Sequence, residues 1–275
     1  MTQRCFYKMH GLGNDFVVVD ARRSLFEADC DRIRAIADRR TGVGCDQFIV
    51  ITPPRNGAAT AGMRIFNADG SEVEACGNGA RCVAWLLMQD GPPQVRIESQ
   101  GGLLVARRAN GSDDSRVTID MGPAGVAWDD IPLAAEQDTL HLDLTVGPYG
   151  DPCAVSMGNP HCVFFVDDAE AVELERWGPE VENHPLFPKK TNVEFVSVLN
   201  HNRLRMRVWE RGVGVTRACG TGACASVVAA RRRYLVEGPT VVTLDGGDLE
   251  IDWTSTGHVL MTGPTALSFT GEWPV

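Results

Sequence analysis

The segment Ala75-Cys76-Gly77-Asn78-Gly79-Ala80 returns 143 residues later as Ala218-Cys219-Gly220-Thr221-Gly222-Ala223. Upstream, Arg64-Ile65-Phe66-Asn67 is matched at the same offset by Arg207-Val208-Trp209-Glu210. Gln47 and Asn192 each open a strand-like run, 145 residues apart, and Asn14 and Asn159 precede apolar runs at that same spacing. Four landmarks in one order at nearly one spacing describe two copies of a unit of about 140 residues. A chain of 275 residues has room for both and can build its cores without staples.

The element pattern agrees. Alternating or β-branched runs predict strands over 4–9, 15–20, 47–51, 62–67, 94–99, 102–107 and 116–120 in the first half. The second half offers 139–146, 153–157, 161–166, 192–198, 203–209, 240–244, 249–253 and 258–262. Apolar spacing predicts helices over 30–40, 77–89, 169–177 and 220–235. Gly122-Pro123 and the turn-rich stretch to Pro132 read as the linker. The expectation is an α/β (α+β) chain of two pseudo-symmetric halves, 1–121 with 265–275, and 122–264. Each would be a strand-rich sheet wrapped around one central helix, with the active site in the cleft between them.

Charge and composition narrow the function. Thirty-six acids against 26 bases leave a net charge of −10, which argues against nucleic acid as a partner. No apolar run has membrane-spanning length, and the first residues carry no signal-peptide pattern, so no membrane partner and a cytoplasmic location are expected. The lysines are Lys8, Lys189 and Lys190, none in a cofactor motif, which disfavours pyridoxal phosphate. The nine cysteines show no CxxC and no zinc spacing, so neither metal nor disulfide framework is expected, and most should be buried thiols.

Cys76 and Cys219 stand apart from the other thiols because each precedes a Gly-x-Gly turn that opens a helix. Free backbone N–H groups and the positive end of the helix dipole meet there, which should lower a thiol's pKa toward neutrality. The same N–H groups can grip a substrate carboxylate. Two such thiols suit inversion of a carbon bearing an acidic hydrogen, one thiolate removing the proton and the other thiol replacing it on the opposite face.

The stretches MHGLGNDFVVVD, FNADGSEVEACGNGARC, SMGNPH, ERG and ACGTGACA resemble those of diaminopimelate epimerases, over nearly the whole chain. The resemblance implies cofactor-independent interconversion of LL- and meso-diaminopimelate, in lysine and cell-wall precursor synthesis, by a homodimer of two similar closing domains. Cys76 and Cys219 match the catalytic pair, and Gly77-Asn78 and Gly220-Thr221 the turns that hold the reacting carboxylate. Asn14, Asn67, Asn159, Asn192 and Arg211 match the set that reads the distal amino-acid end, and Gln47 a further substrate contact. His161 and Glu210 match residues that tune the thiols, Glu210 also being counted with the substrate-binding set. Two positions depart from the pattern: Val215 stands where a Glu is usual, and Phe269 where some members carry a dimer-contacting Tyr. Alternatives are a proline or hydroxyproline epimerase, which would need no distal ammonium reader, and a Cys–His hydrolase, which would leave the duplicated cysteine loop unexplained.

Overall fold

The computed structural model describes residues 3–55, 57–73, 76–109, 111 and 113–274; Ala75, the first residue of the first copy of the repeated motif, lies outside them. The chain divides into two compact units, Met1–Asp120 with Thr262–Val275, and Met121–Met261.

The first unit begins with β1 (Gln3–Gly11) and β2 (Asn14–Asp20), followed by α1 (Cys30–Ala37), β3 (Gln47–Thr52), β4 (Ala61–Asn67) and β5 (Glu72–Val73). The helix α2 (Gly77–Gln89) comes next, then β6 (Gln94–Ser99), β7 (Gly102–Arg108) and β8 (Arg116–Pro123), whose last residues enter the second unit. The second unit holds β9 (Thr145–Val146), β10 (Tyr149–Gly150), β11 (Cys153–Ser156), β12 (Pro160–Phe165), α3 (Leu174–Glu182), β13 (Asn192–Asn200), β14 (Arg203–Glu210) and β15 (Gly214–Val215). It closes with α4 (Gly220–Arg232), β16 (Thr240–Leu244) and β17 (Gly247–Trp253). Within β18 (His258–Pro264) the chain returns to the first unit, where β19 (Ala266–Pro274) pairs antiparallel with β1.

The repeat is visible in the strand pairing of each unit. β2 lies parallel to β3 with Phe16 opposite Gln47, and β12 lies parallel to β13 with His161 opposite Asn192. The pairings β3–β4, β4–β5, β4–β6 and β6–β7 recur with the same sense as β13–β14, β14–β15, β14–β16 and β16–β17. In each unit the strands surround one apolar helix. α2 packs on β1, β2, β6 and β7, and α4 on β11 to β14, β16 and β17. Residues 78–84 of α2 and 222–230 of α4 are continuously buried, so each helix is covered on every side and stands at the centre of its unit. A second layer covers the outer face of each sheet. In the first unit Phe6, Phe26, Ile33 and Phe48 gather there, and in the second Phe164, Phe195, Leu174 and Val181, with Phe164 and Phe195 stacked at 5.1 Å.

Several expectations need correction. The second-half helix expected over 169–177 is instead Leu174–Glu182, preceded by a single 3₁₀ turn capped by Asp168. Gly178-Pro179, a stop signal by sequence, lies inside it, because a Cβ on Gly178 would stand 2.4 Å from the Trp209 ring and only glycine leaves that ring a seat. The alternation over 139–146 is real as burial, with Leu142, Leu144 and Val146 inside, yet only Thr145–Val146 pairs as a strand. There Leu144 N–H turns back to the Leu142 carbonyl instead of to a neighbouring strand. β19 escaped the pattern because its glycine reads as a break; a Cβ on Gly271 would meet the Phe6 ring at 2.5 Å. Among the described residues no helix is long and apolar enough to cross a membrane.

Candidate active site

In both units the cysteine is the N-cap of the central helix. Cys76 has extended backbone angles (φ −149°, ψ 109°), and its Sγ accepts the Gly79 N–H at 3.4 Å. Cys219 does the same (φ −118°, ψ 109°), with its Sγ accepting from Gly222 N–H at 3.4 Å. Caps are usually Ser, Thr, Asp or Asn; here a sulfur takes the orphan amide, so each thiolate would gain a donor and the helix dipole together. The glycine that donates is closely approached by a side chain in both turns. A Cβ on Gly79 would stand 2.7 Å from Ile49 Cδ1, and one on Gly222 would stand 2.8 Å from Glu194 Oε1.

Around Cys76 the first unit assembles four of the expected residues. Leu12 and Gly13 form a two-residue hairpin turn with φ 57° and 83°, which delivers Asn14 as the first residue of β2. The Asn14 amide nitrogen donates to Asp46 at 3.0 Å, leaving its Oδ1 to receive the Cys76 thiol at 3.7 Å and the Asn78 amide at 3.5 Å. Asp46 is held in turn by Arg39, which also grips Asp15. Gln47 donates to Asn67 Oδ1 at 3.1 Å across the β3–β4 pair, and Asn67 donates to Ser71. The buried Arg81 guanidinium, one turn into α2, donates to Asn78 Oδ1 at 2.7 Å.

The second unit assembles a different set around Cys219. Thr221 Oγ1 lies 3.5 Å from the sulfur, and Asn159 Nδ2 donates to that oxygen at 3.4 Å. Asn159 Oδ1 faces His161 Nε2 at 3.1 Å, and His161 Nδ1 faces Glu194 Oε1 at 2.6 Å, both partners being wholly buried. The carboxylate of Glu210 receives the Thr216 hydroxyl, and its charge acts on the nearby Cys219 thiol. Asn192 is used for scaffolding: its amide donates to the Pro160 carbonyl at 2.9 Å and its Oδ1 receives the Arg211 N–H at 2.9 Å. The exposed Arg211 guanidinium reaches the Lys189 carbonyl at 3.1 Å. Gly77 and Gly220 are the first residues of their helices.

The expected lowering of the thiol pKa needs revision at Cys219. Burial pushes this thiol well above its ordinary value, and the neighbouring Glu210 and Glu194 carboxylates push it further. The Thr221 hydroxyl and Gly222 N–H act the other way without prevailing. Burial also raises Glu210 above the usual carboxylate range, with Glu194 adding to it. Reasoning from a helix N-terminus alone omits the cost of placing a charge in a dry site beside two acids.

Sequence reasoning missed Glu194, Thr216 and Asp46. Glu194 sits inside a strand whose pattern reads as ordinary core, and only lining up the repeat at its offset of 145 shows that it stands where the first half carries Ile49. Val215, at the departure from the expected Glu, is a partly exposed residue of β15 opposite Trp209. Phe269 is half exposed on β19 and meets Phe6 edge to face at 6.1 Å. A cavity of about 560 Å³ elsewhere in the first unit, lined by Tyr7, Asp20, Arg22, Trp85 and Leu267 among others, includes neither cysteine.

The family model for diaminopimelate epimerase matches residues 6–126 and 153–268. The diaminopimelate epimerase of Rhodospirillum centenum is 57% identical over 271 residues, covering 98% of this chain and 92% of that protein. That of Phenylobacterium zucineum is 52% identical, covering 98% of each. Two solved structures share the fold at low identity. A PhzF-family phenazine biosynthesis protein from Enterococcus faecalis gives a TM-score of 0.72 at 13% identity, with complete coverage of both chains. A hydroxyproline epimerase from Agrobacterium vitis, with trans-4-hydroxy-L-proline bound, gives 0.68 at 16%, covering 98% of this chain and 92% of that one.

Proposed function

Since this chain belongs to the diaminopimelate epimerase family, we propose that it interconverts LL- and meso-diaminopimelate, with Cys76 and Cys219 as its two acid–base groups. The observation that carries the reading is the matched pair of cysteine N-caps, one per unit, on equivalent helices. A thiolate takes the α-hydrogen and becomes a thiol, while the opposite thiol gives its proton to the resulting carbanion and becomes the thiolate; the carbon inverts and the charge moves from one sulfur to the other. Burial and two carboxylates favour the protonated form of Cys219, the form a proton donor needs.

The α-hydrogen of an amino acid is weakly acidic, so the negative charge that grows on the reacting carboxylate must be met by fixed donors. The N–H groups of Gly77-Asn78 and Gly220-Thr221 at the two helix N-termini have the chemistry for this. Asn14, Gln47, Asn67, Asn159, Asn192 and Arg211 are assigned to the distal, non-reacting end, whose ammonium needs acceptors and whose carboxylate needs donors. Asn offers both, and Arg offers a fork. His161 and Glu210 tune the sulfurs. In this reading the thiols do the work that pyridoxal phosphate does in other racemases, with no cofactor or metal. The enzyme serves lysine and cell-wall precursor synthesis in the cytoplasm as a homodimer, with Phe269 at the contact between copies.

Isotope incorporation tests the proposal. In D2O, LL substrate at low conversion should give product carrying one deuterium at the inverted carbon while recovered substrate gains little. Substrate labelling as fast as product, or unlabelled product, would overturn the assignment of two bases.

A further inference from the structure

At two equivalent places beneath the cysteine loops the halves differ in kind. Where the first unit buries Phe16 and Ile49 under Gly79, the second buries His161 and Glu194 under the matching turn, both wholly inaccessible. The first unit shows that an apolar pair fills this space in the fold. A buried carboxylate–imidazole pair is costly to desolvate and is not needed for packing here, so its presence calls for a chemical reason.

Atom by atom, the hydrogen bonds supply one. Asn159 donates through Nδ2 to Thr221, so its Oδ1 is the atom that faces His161; an amide oxygen only accepts, and His161 Nε2 must therefore carry hydrogen. A further proton is then shared between His161 Nδ1 and Glu194 Oε1 across 2.6 Å. The donors line up in one direction: His161 Nε2–H to Asn159, Asn159 Nδ2–H to Thr221, and then Thr221 Oγ1, 3.5 Å from the Cys219 sulfur, where either atom can donate while the thiol is protonated and only the Thr221 O–H can donate to the thiolate. Glu194 is the anchor at the far end, and its Oε2 has no hydrogen-bond partner among the described residues.

We propose that Glu194 is a positioning residue that fixes the tautomer of His161 and thereby aims this chain of donors at Cys219, keeping a donor directed at its sulfur each time that group gives up its proton. The inference rests on the assignment of Cys219 as an acid–base group. The groups that face Glu194 and Cys219 are His161 on β12, Glu210 on β14 and the Thr221 hydroxyl and Gly222 N–H of α4. With Gln at 194, His161 can keep its Nδ1 hydrogen and lose the one on Nε2, and the chain loses its direction. Outer partners of this type change activity by roughly 10–100-fold in metal sites, and the same scale is expected here.

The test is the pH dependence of iodoacetamide alkylation on the full-length protein without substrate, read peptide by peptide so that Cys76 serves as the internal control. Thr221→Val, which removes the last donor and no charge, should move the Cys219 profile to higher pH by at least half a unit and leave Cys76 in place. Glu194→Gln, which removes the anchor together with a charge that itself opposes the thiolate, should lower kcat by at least tenfold with KM changed by less than threefold, and Glu194→Asp should recover part of the loss. The Thr221→Val profile keeps the proposal open to test if Glu194→Gln does not fold. A Cys219 profile in Thr221→Val that is unchanged or moved to lower pH, equal shifts at both cysteines, or a Glu194→Gln kcat within threefold of the wild type would overturn the proposal. Epimerisation surviving in Cys219→Ala would instead overturn the two-base reading, whatever the alkylation profiles show.

Discussion

Glu194 lies directly under Gly222, with one carboxylate oxygen 2.8 Å from where a Cβ on that glycine would stand. The equivalent Gly79 has the tip of a flexible side chain, Ile49 Cδ1, at 2.7 Å. The two glycines therefore differ in what a methyl group would displace. Gly79→Ala should cost no more than about 2 kcal/mol, because Ile49 can change rotamer and alanine favours the helix by about 1 kcal/mol. Gly222→Ala should cost at least about 3 kcal/mol, since moving Glu194 breaks a buried ionic pair. Urea midpoints of the two variants decide this; equal losses would contradict it.

Cys76→Ala and Cys219→Ala should each abolish epimerisation, because inversion needs a group on both faces of the carbon. Cys82 and Cys224, wholly buried in the same two helices, should behave differently. Their replacement by alanine leaves turnover within about threefold and lowers stability by about 1–2 kcal/mol. Turnover and thermal midpoints of the four variants check the distinction, and retained epimerisation in either of the first two would sink it.

The Glu210 carboxylate raises the Cys219 pKa, second only to burial. Glu210→Gln should therefore move alkylation of Cys219 to lower pH, opposite in sign to the effect expected of Thr221→Val. It should also slow turnover roughly 10–100-fold, because a group that tunes the reacting thiol is lost. Alkylation profiles of the two variants side by side make the contrast.

Base should unfold the protein earlier than its ordinary surface would suggest. Burial raises Cys45 and Cys153 to about 11 and Cys82 to about 12, and lifts Cys162 and Cys219 well above their usual value of 9.0. Between pH 9 and 11 the unfolded chain releases thiol protons that the folded chain retains. The folded state thus binds more protons, and stability falls as pH rises. Each thiol contributes about 1.4 kcal/mol per pH unit while its protonation differs between the states. Urea midpoints at pH 8, 9 and 10 should be level and then drop; a flat line through pH 10 would contradict the burial of these thiols.

Phe269→Lys should dissociate the proposed homodimer, since Leu267 and Phe269 leave apolar surface open on β19. Light scattering of wild type and variant gives the answer directly, and an unchanged mass would remove Phe269 from the interface.

Much of this was written in the order of residues. The duplicated Cys-Gly-x-Gly turn located both helices and both caps, because a glycine forced by close packing cannot drift without penalty. Asn14 and Gln47 were found with it, being tied to strand starts. What stayed hidden depended on three-dimensional neighbours. Glu194 sits in a buried strand where neither alternation nor composition marks it, and its meaning lies in touching His161, 33 residues away. The Cys219 thiol was misjudged for a related reason, because a helix terminus can be read from one loop while Glu210 and Glu194 arrive from two separate strands. Nor does the order of residues show that Arg211 Nη1 donates to the Lys189 carbonyl and the Arg211 backbone N–H to Asn192.

The pairing of β1 with β19 has a consequence for how the chain is made. Arg4 lies opposite Trp273, so β1 leaves the ribosome long before its partner strand β19 is made. The stretch Met121–Met261 is contiguous and can close on itself as soon as it emerges, whereas the other unit stays open along one edge until β19 follows. The half encoded second is completed first, and the waiting edge of β1 is the part of the nascent protein most in need of protection.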